Sequence, residues 1–280
     1  MRTWRRMGAV IATVGLIGSF TANAQSPQYP SLGIDPPGAN DFSCVPPPEH
    51  PRPVVLAHGT FLDMTSDWGL LAPLLAREGF CVFALDYGHR ATGPIAQSAR
   101  QLRRFVRRVR EATGAKRVAI VGHSQGGMMP RHYIKFLRGK RKVAELVGLN
   151  PSNHGTTTPL ASIVGDSGAC LACAEQVAGS EFLKRLNAGD ETPGKIAYTQ
   201  ITTRYDEIVT PFDSAFLHPD DGRATNVLVQ DRCPADVFEH ILFAYDPVAL
   251  QWVLNALTRP GPADPAFRPD CTGLGLLARR

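Results

Sequence analysis

Six short apolar runs recur along this chain, and helical spacing fills most of the intervals between them. The runs are "PVVLAHG" from Pro53, "CVFALDYG" from Cys81, "RVAIVGHS" from Arg117, "VAELVGLNPSN" from Val143, "GKIAYTQITTRYDEIV" from Gly194 and "ATNVLVQD" from Ala224. The helical patterns are "DWGLLAPLLAREGF", "ARQLRRFVRRVREATGAKR", "QGGMMPRHYIKFLR" and "DPVALQWVLNAL". Parallel strands need a crossover between them, usually a helix, and strands buried on both faces are apolar almost without interruption. The alternation therefore predicts an α/β fold with a mostly parallel central sheet and helices on both faces. There is no internal repeat. Residues 153–195 interrupt the rhythm and are expected to form a lid-like insertion over the sheet.

The ends of the chain read differently from its centre. "MRTWRRMGAVIATVGLIGSFTANA" has a basic start, an apolar middle and a small-residue end, the pattern of a secretory signal peptide over residues 1–24. Its apolar stretch is short for a membrane span. Residues 25–280 then form one domain, with a proline-rich arm over 25–53 and a tail over 258–280. Removing residues 1–24 takes away three arginines and no acidic residue, so the net charge of +5 becomes +2. Little remains to recommend a nucleic-acid partner. The arginines of "ARQLRRFVRRVREATGAKR" alternate with Leu102, Phe105, Val106 and Val109 at amphipathic spacing and are expected to face solvent. Six cysteines in an exported chain argue for disulfides, and Cys170-Leu-Ala-Cys173 for a local one in the insertion. No second CxxC and no H-E-x-x-H motif points to a metal, so no cofactor is expected.

The run "RVAIVGHS" passes through Gly122-His123-Ser124-Gln125-Gly126 directly into a helical pattern. A serine in G-x-S-x-G between strand and helix sits on a sharp, strained turn with its hydroxyl raised above the sheet. The flanking glycines are needed because such a turn brings backbone segments too close for a Cβ. The helix start offers free N–H groups and a dipole that favour developing negative charge. Ser124 is the candidate nucleophile. It needs a base and an orienting carboxylate, expected in the chain order Ser, acid, His. His132 lies in the helix leaving the turn, and His154 and His218 precede the last strand run. His240 alone follows that run and precedes the final helix, so it is the candidate base. Asp206 follows the fifth run at once and is the preferred acid, with Asp213 as the alternative. Two backbone N–H groups should form an oxyanion hole. They belong to Gln125, after the nucleophile, and Thr60, in the loop of "LAHGTF", whose hydroxyl can add a third donor. His58 is expected to brace this loop and Gly59 to permit its turn.

These motifs resemble those of the secreted bacterial class 2 lipases within the α/β-hydrolase superfamily. "VVLAHGTF", "CVFALDYG", "VAIVGHSQGGMMPRHYIKFL", "LVGLNPSNHGTT", "TTRYDEIVTPF" and "AYDPVALQWVLNAL" occur in family order between Cys44 and Leu257. The resemblance implies a triad of Ser124, Asp206 and His240, in agreement with position along the chain. It also implies disulfides Cys44–Cys81, Cys170–Cys173 and Cys233–Cys271. The expected activity is hydrolysis of lipid esters, acylglycerols above all, by a secreted enzyme working at a lipid–water interface. Leu160, Ile163, Val164 and Leu171 in the insertion are expected to touch the acyl chain. A depolymerase of aliphatic polyesters would use the same triad under a more open cleft, and an inactive binding module would need only the fold.

Overall fold

In the computed structural model, residues 32–219 and 222–277 are described, so the expected signal peptide lies outside the described residues. Each of the six apolar runs becomes a strand: β1 (Val54–Ala57), β2 (Val82–Leu85), β3 (Val118–His123), β4 (Val143–Leu149), β5 (Ala197–Thr202) and β6 (Ala224–Leu228). They pair in the order β2-β1-β3-β4-β5-β6, every pair parallel. β1 through β4 are buried along their whole length. That burial on both faces explains why they read as unbroken apolar runs rather than as alternating ones.

Helices Leu71–Arg77 and Pro247–Leu257 pack on one face of the sheet, and Ile95–Thr113 and Gln125–Phe136 on the other. The arginine-rich helix begins at Ile95 and turns Leu102, Val106 and Val109 inward while its arginines stay outside. Asp246 caps the helix Pro247–Leu257, its carboxylate accepting the N–H groups of Val248 and Ala249. A carboxylate there satisfies donors that the first turn leaves open.

The arm is bound to the edge of the sheet. Asn40 accepts the Ala84 N–H at 3.0 Å, donates to the Ala84 carbonyl at 3.0 Å, and bonds Val82 through its own N–H. The Cys44–Cys81 disulfide fastens it beside these contacts. An edge strand with free N–H and C=O groups invites intermolecular pairing, and the arm covers this one.

Between β4 and β5 the chain makes three short helices, Pro159–Asp166, Leu171–Glu175 and Glu181–Asn187. The insertion is tied down at several points. Ala172 N–H donates to the Thr92 carbonyl at 3.0 Å, and Glu175 accepts the Ile95 N–H at 2.6 Å. Cys170 and Cys173 are joined, and Cys233 joins Cys271 of the tail. Among the described residues no helix is long and apolar enough to cross a membrane.

Candidate active site

All four candidate segments leave the carboxyl ends of strands. Thr60 follows β1, Ser124 follows β3 directly, Asp206 follows β5, and His240 lies beyond β6. In a parallel sheet the strand ends leave a crevice there, which is why ligand groups collect at that edge.

Ser124 sits at φ 54°, ψ −122°, a left-handed conformation that side chains other than glycine rarely adopt. The surroundings impose it. A Cβ at Gly122 would lie 1.9 Å from the Gly126 carbonyl oxygen, and one at Gly126 would lie 1.9 Å from that of Ala57. Both positions must be glycine. Strand, turn and helix are packed too closely for anything larger. Gly59 has a related reason: its φ is not left-handed, and a Cβ there would stand 3.3 Å from both His123 Nδ1 and Ser124 Cβ. A side chain there would press on the serine and on His123, so close packing beside Ser124 favours glycine in this loop.

His240 is buried, and its Nδ1 lies 2.8 Å from Asp206 Oδ2. The other Asp206 oxygen accepts the N–H groups of Ile208 and Val209 at 3.0 and 2.6 Å, which orients the carboxylate. Nδ1–H donation to Asp206 leaves Nε2 with the lone pair. Asp213, the alternative acid, is exposed in a short 3-10 turn and bonds no histidine among the described residues. The other histidines are elsewhere: His132 stacks on Phe182, His154 pairs with Glu191 at 2.9 Å, and His218 is exposed.

Thr60 lines the cleft, and buried Gln125 lies against it. Among the described residues no protein acceptor takes the backbone N–H of either one. The Thr60 hydroxyl oxygen accepts from Gln125 Nε2 at 2.9 Å and from Gln176 Nε2 at 3.1 Å. A hydroxyl with both lone pairs engaged can only donate to a third partner. Gln176 comes from the insertion and is held by Ser152, whose hydroxyl donates to its Oε1 at 2.8 Å. No sequence pattern singled it out. His58 braces the loop: its Nδ1 lies 2.8 Å from the Gly59 carbonyl, and its Nε2 accepts the Tyr87 N–H at 3.4 Å. Burial keeps this imidazole below the ordinary histidine range, so it stays neutral.

Ser124 and His240 line one cleft of about 720 Å³, counted to its open mouth. Its other walls include Thr60, Leu160, Val164, Gln176, Ile208 and Ile241. The lining surface is mostly apolar. Leu160 and Val164 belong to the wall. Ile163 does not: its side chain points outward and is 67% exposed. Leu171 is also absent from the wall. A buried hydroxyl on a strained turn, an imidazole tied to a carboxylate and two backbone N–H groups without a protein acceptor can together perform acyl transfer.

Residues 51–253 match the family model described as lipase (class 2). Among solved structures the chain is similar to Aspergillus fumigatus lipase B, with a TM-score of 0.69 and 21% identity over 86% of this chain and 65% of that one. It is also similar to the mature Bacillus licheniformis lipase BlEst2, with a TM-score of 0.59 and 17% identity over 76% of this chain and 94% of that one. Both likenesses concern the α/β-hydrolase fold. A sequence relative, homoserine O-acetyltransferase of Deinococcus radiodurans, is 26% identical over 175 residues, 55% of this chain. The chain spans 52% of that relative's length.

Proposed function

The chain belongs to the lipase (class 2) family, and from that premise we propose that it hydrolyses carboxylic esters of lipids, acylglycerols above all, through an acyl-enzyme on Ser124. The observation that carries this reading is the 2.8 Å bond from His240 to Asp206 on the cleft that Ser124 also lines. The Ser124 hydroxyl attacks the ester carbonyl while His240 Nε2 takes its proton. Asp206 holds the tautomer and balances the imidazolium that forms. The oxyanion is received by the N–H groups of Thr60 and Gln125, with the Thr60 hydroxyl as third donor. His240 then returns the proton to the leaving alcohol. A water molecule, deprotonated by the same imidazole, releases the fatty acid.

The mostly apolar cleft supports an acyl chain as the bound portion. Phe61, Leu160, Ile163, Ile241 and Leu242 are large exposed apolar residues. Phe61, Leu160 and Ile241 also line the cleft, which supports work at a lipid surface. Export is part of the proposal, supported by three disulfides, since such bonds persist in oxidising compartments. The test is hydrolysis of p-nitrophenyl esters over a range of acyl lengths, repeated on emulsified triacylglycerol. Ser124→Ala should lower kcat by roughly 10⁴-fold or more and leave the fold intact. A folded variant keeping about a tenth of the activity would remove Ser124 from the role.

A further inference from the structure

Behind the cleft lies a charged pair that the reaction scheme does not use. His123, the residue before Ser124, is fully buried. Its Nδ1 stands 3.0 and 3.2 Å from the two oxygens of Asp67, and its Nε2 stands 2.9 Å from the backbone carbonyl of His240. Both neighbours are acceptors. A neutral imidazole has one N–H and would turn a lone pair toward one of these oxygens. The geometry therefore calls for an imidazolium. Burial opposes that charge, but the Asp67 carboxylate, the His240 carbonyl and Asp206 together raise the group above the ordinary histidine range. Asp67 is buried too, and its Oδ2 also accepts the Gly59 N–H at 2.9 Å.

We propose that Asp67 and His123 form a buried ion pair that positions the catalytic groups, His123 by holding the His240 carbonyl and Asp67 by holding the loop that carries Thr60. The proposal rests on the reading of Ser124, His240 and Thr60 given above. Neither Asp67 nor His123 lines the cleft, so both are positioning residues. Stability gives little reason for such a pair, because apolar residues of similar volume often serve a buried site as well or better. Position gives a strong one. The pair joins the donor loop after β1, the turn after β3 and the base loop beyond β6, segments far apart in sequence. It also sets charge around the base, since the His123 and His240 rings lie 5.1 Å apart. The charged groups facing His240 are Asp206, Glu207, whose carboxylate accepts the His240 N–H at 3.4 Å, and His123 with Asp67 behind it. Glu239 adjoins His240 on its own loop.

The experiment uses the full chain and a soluble short-chain ester, with Ser124→Ala as the control. Wild type that fails to turn over, or a folded Ser124→Ala that still does, overturns the hydrolase reading and this proposal with it. Given that control, the double variant Asp67→Leu, His123→Phe removes both charges and the hold on the His240 carbonyl. Its kcat should fall on the order of 100-fold, the effect of displacing a base by about 1 Å, with KM little changed. The thermal unfolding midpoint should drop as well, because the Gly59 N–H and the His240 carbonyl lose their partners. A folded double variant with kcat within about threefold of wild type overturns the proposal. Asp67→Asn decides the matter should the double variant not fold. It leaves His123 without a counter-ion, so the ring becomes neutral and the nearest cation facing His240 disappears. The imidazolium form of His240 becomes easier to make, and the acid limb of kcat/KM should move to higher pH by roughly half a unit or more. An unmoved acid limb overturns the pair.

Discussion

At the scale of single residues, close approach decides more than chemical type does. Gly122, Ser124 and Gly126 occupy a turn in which two added carbon atoms would sit inside neighbouring carbonyl groups. Thr60 is a case where type does matter. Its hydroxyl accepts from the amides of Gln125 and Gln176, which leaves its proton for the cleft. Thr60→Val keeps the backbone N–H and the branched shape but removes that donor. Loss of one oxyanion donor costs on the order of 10²–10³-fold in kcat, and that is the fall expected here, with KM little changed. Thr60→Ser should retain most of the activity. Equal losses in the two variants, measured on one soluble ester, would show that the hydroxyl is not a donor and that only the shape of the side chain counts.

At the scale of elements, the insertion is anchored at its base and open at its outer helix. Thr92, Ile95 and Thr60 each receive a bond from it or give one to it, so its inner part moves only with the wall of the cleft. Helix Pro159–Asp166 has a single buried residue, Gly165, where a Cβ would lie 2.8 Å from the Ala174 backbone. Its apolar side chains divide: Leu160 and Val164 face the cleft, and Ile163 faces solvent. Val164→Trp should narrow the acyl site and shift the preference of soluble esters toward shorter chains. Ile163→Trp should leave that profile as it is. If Val164→Trp did not alter the profile, the acyl chain would have to lie against Ile208 and Ile241 instead.

At the scale of the whole molecule, the Cys233–Cys271 disulfide ties the tail to the loop that carries His240. The cysteines are 38 residues apart, for which the chain-entropy model gives about 4 kcal/mol, an upper figure. The tail has a second hold on the fold. Gln251 bonds both the carbonyl and the N–H of Asp270, at 2.9 and 2.7 Å. The variant Cys233→Ser, Cys271→Ser should therefore still fold at room temperature. Its activity should fail on heating before its secondary structure does, because a small movement of the base costs more than a small loss of packing. Activity and circular dichroism recorded over one temperature ramp check this. Coincident loss of both signals would show that the bond serves the fold alone.

What could be read from the sequence was what neighbours along the chain decide. A strand buried on both faces must be apolar throughout, and a strained turn between strand and helix must hold glycines at fixed spacing. So the six strands, the parallel sheet and the place of Ser124 were visible in order. Chain order also set Asp206 and His240 apart from their rivals, because ligand groups collect at strand ends. The contacts that cross the molecule left no such mark. His123 meets Asp67 across 56 positions, and Gln176 meets Thr60 across 116. A buried aspartate or glutamine has the same letters as an exposed one, and nothing local records its partner. The facing of Ile163 was hidden for a similar reason. In a short helix with apolar residues on more than one side, only packing against the neighbouring element decides which side is the wall. Sequence by itself settled the elements and singled out Ser124, Asp206 and His240 as the candidate reacting groups, since covalent neighbours, chain order and periodicity mark them. Tertiary structure alone decided what holds those groups in register, since that depends on contacts between segments that only folding brings together.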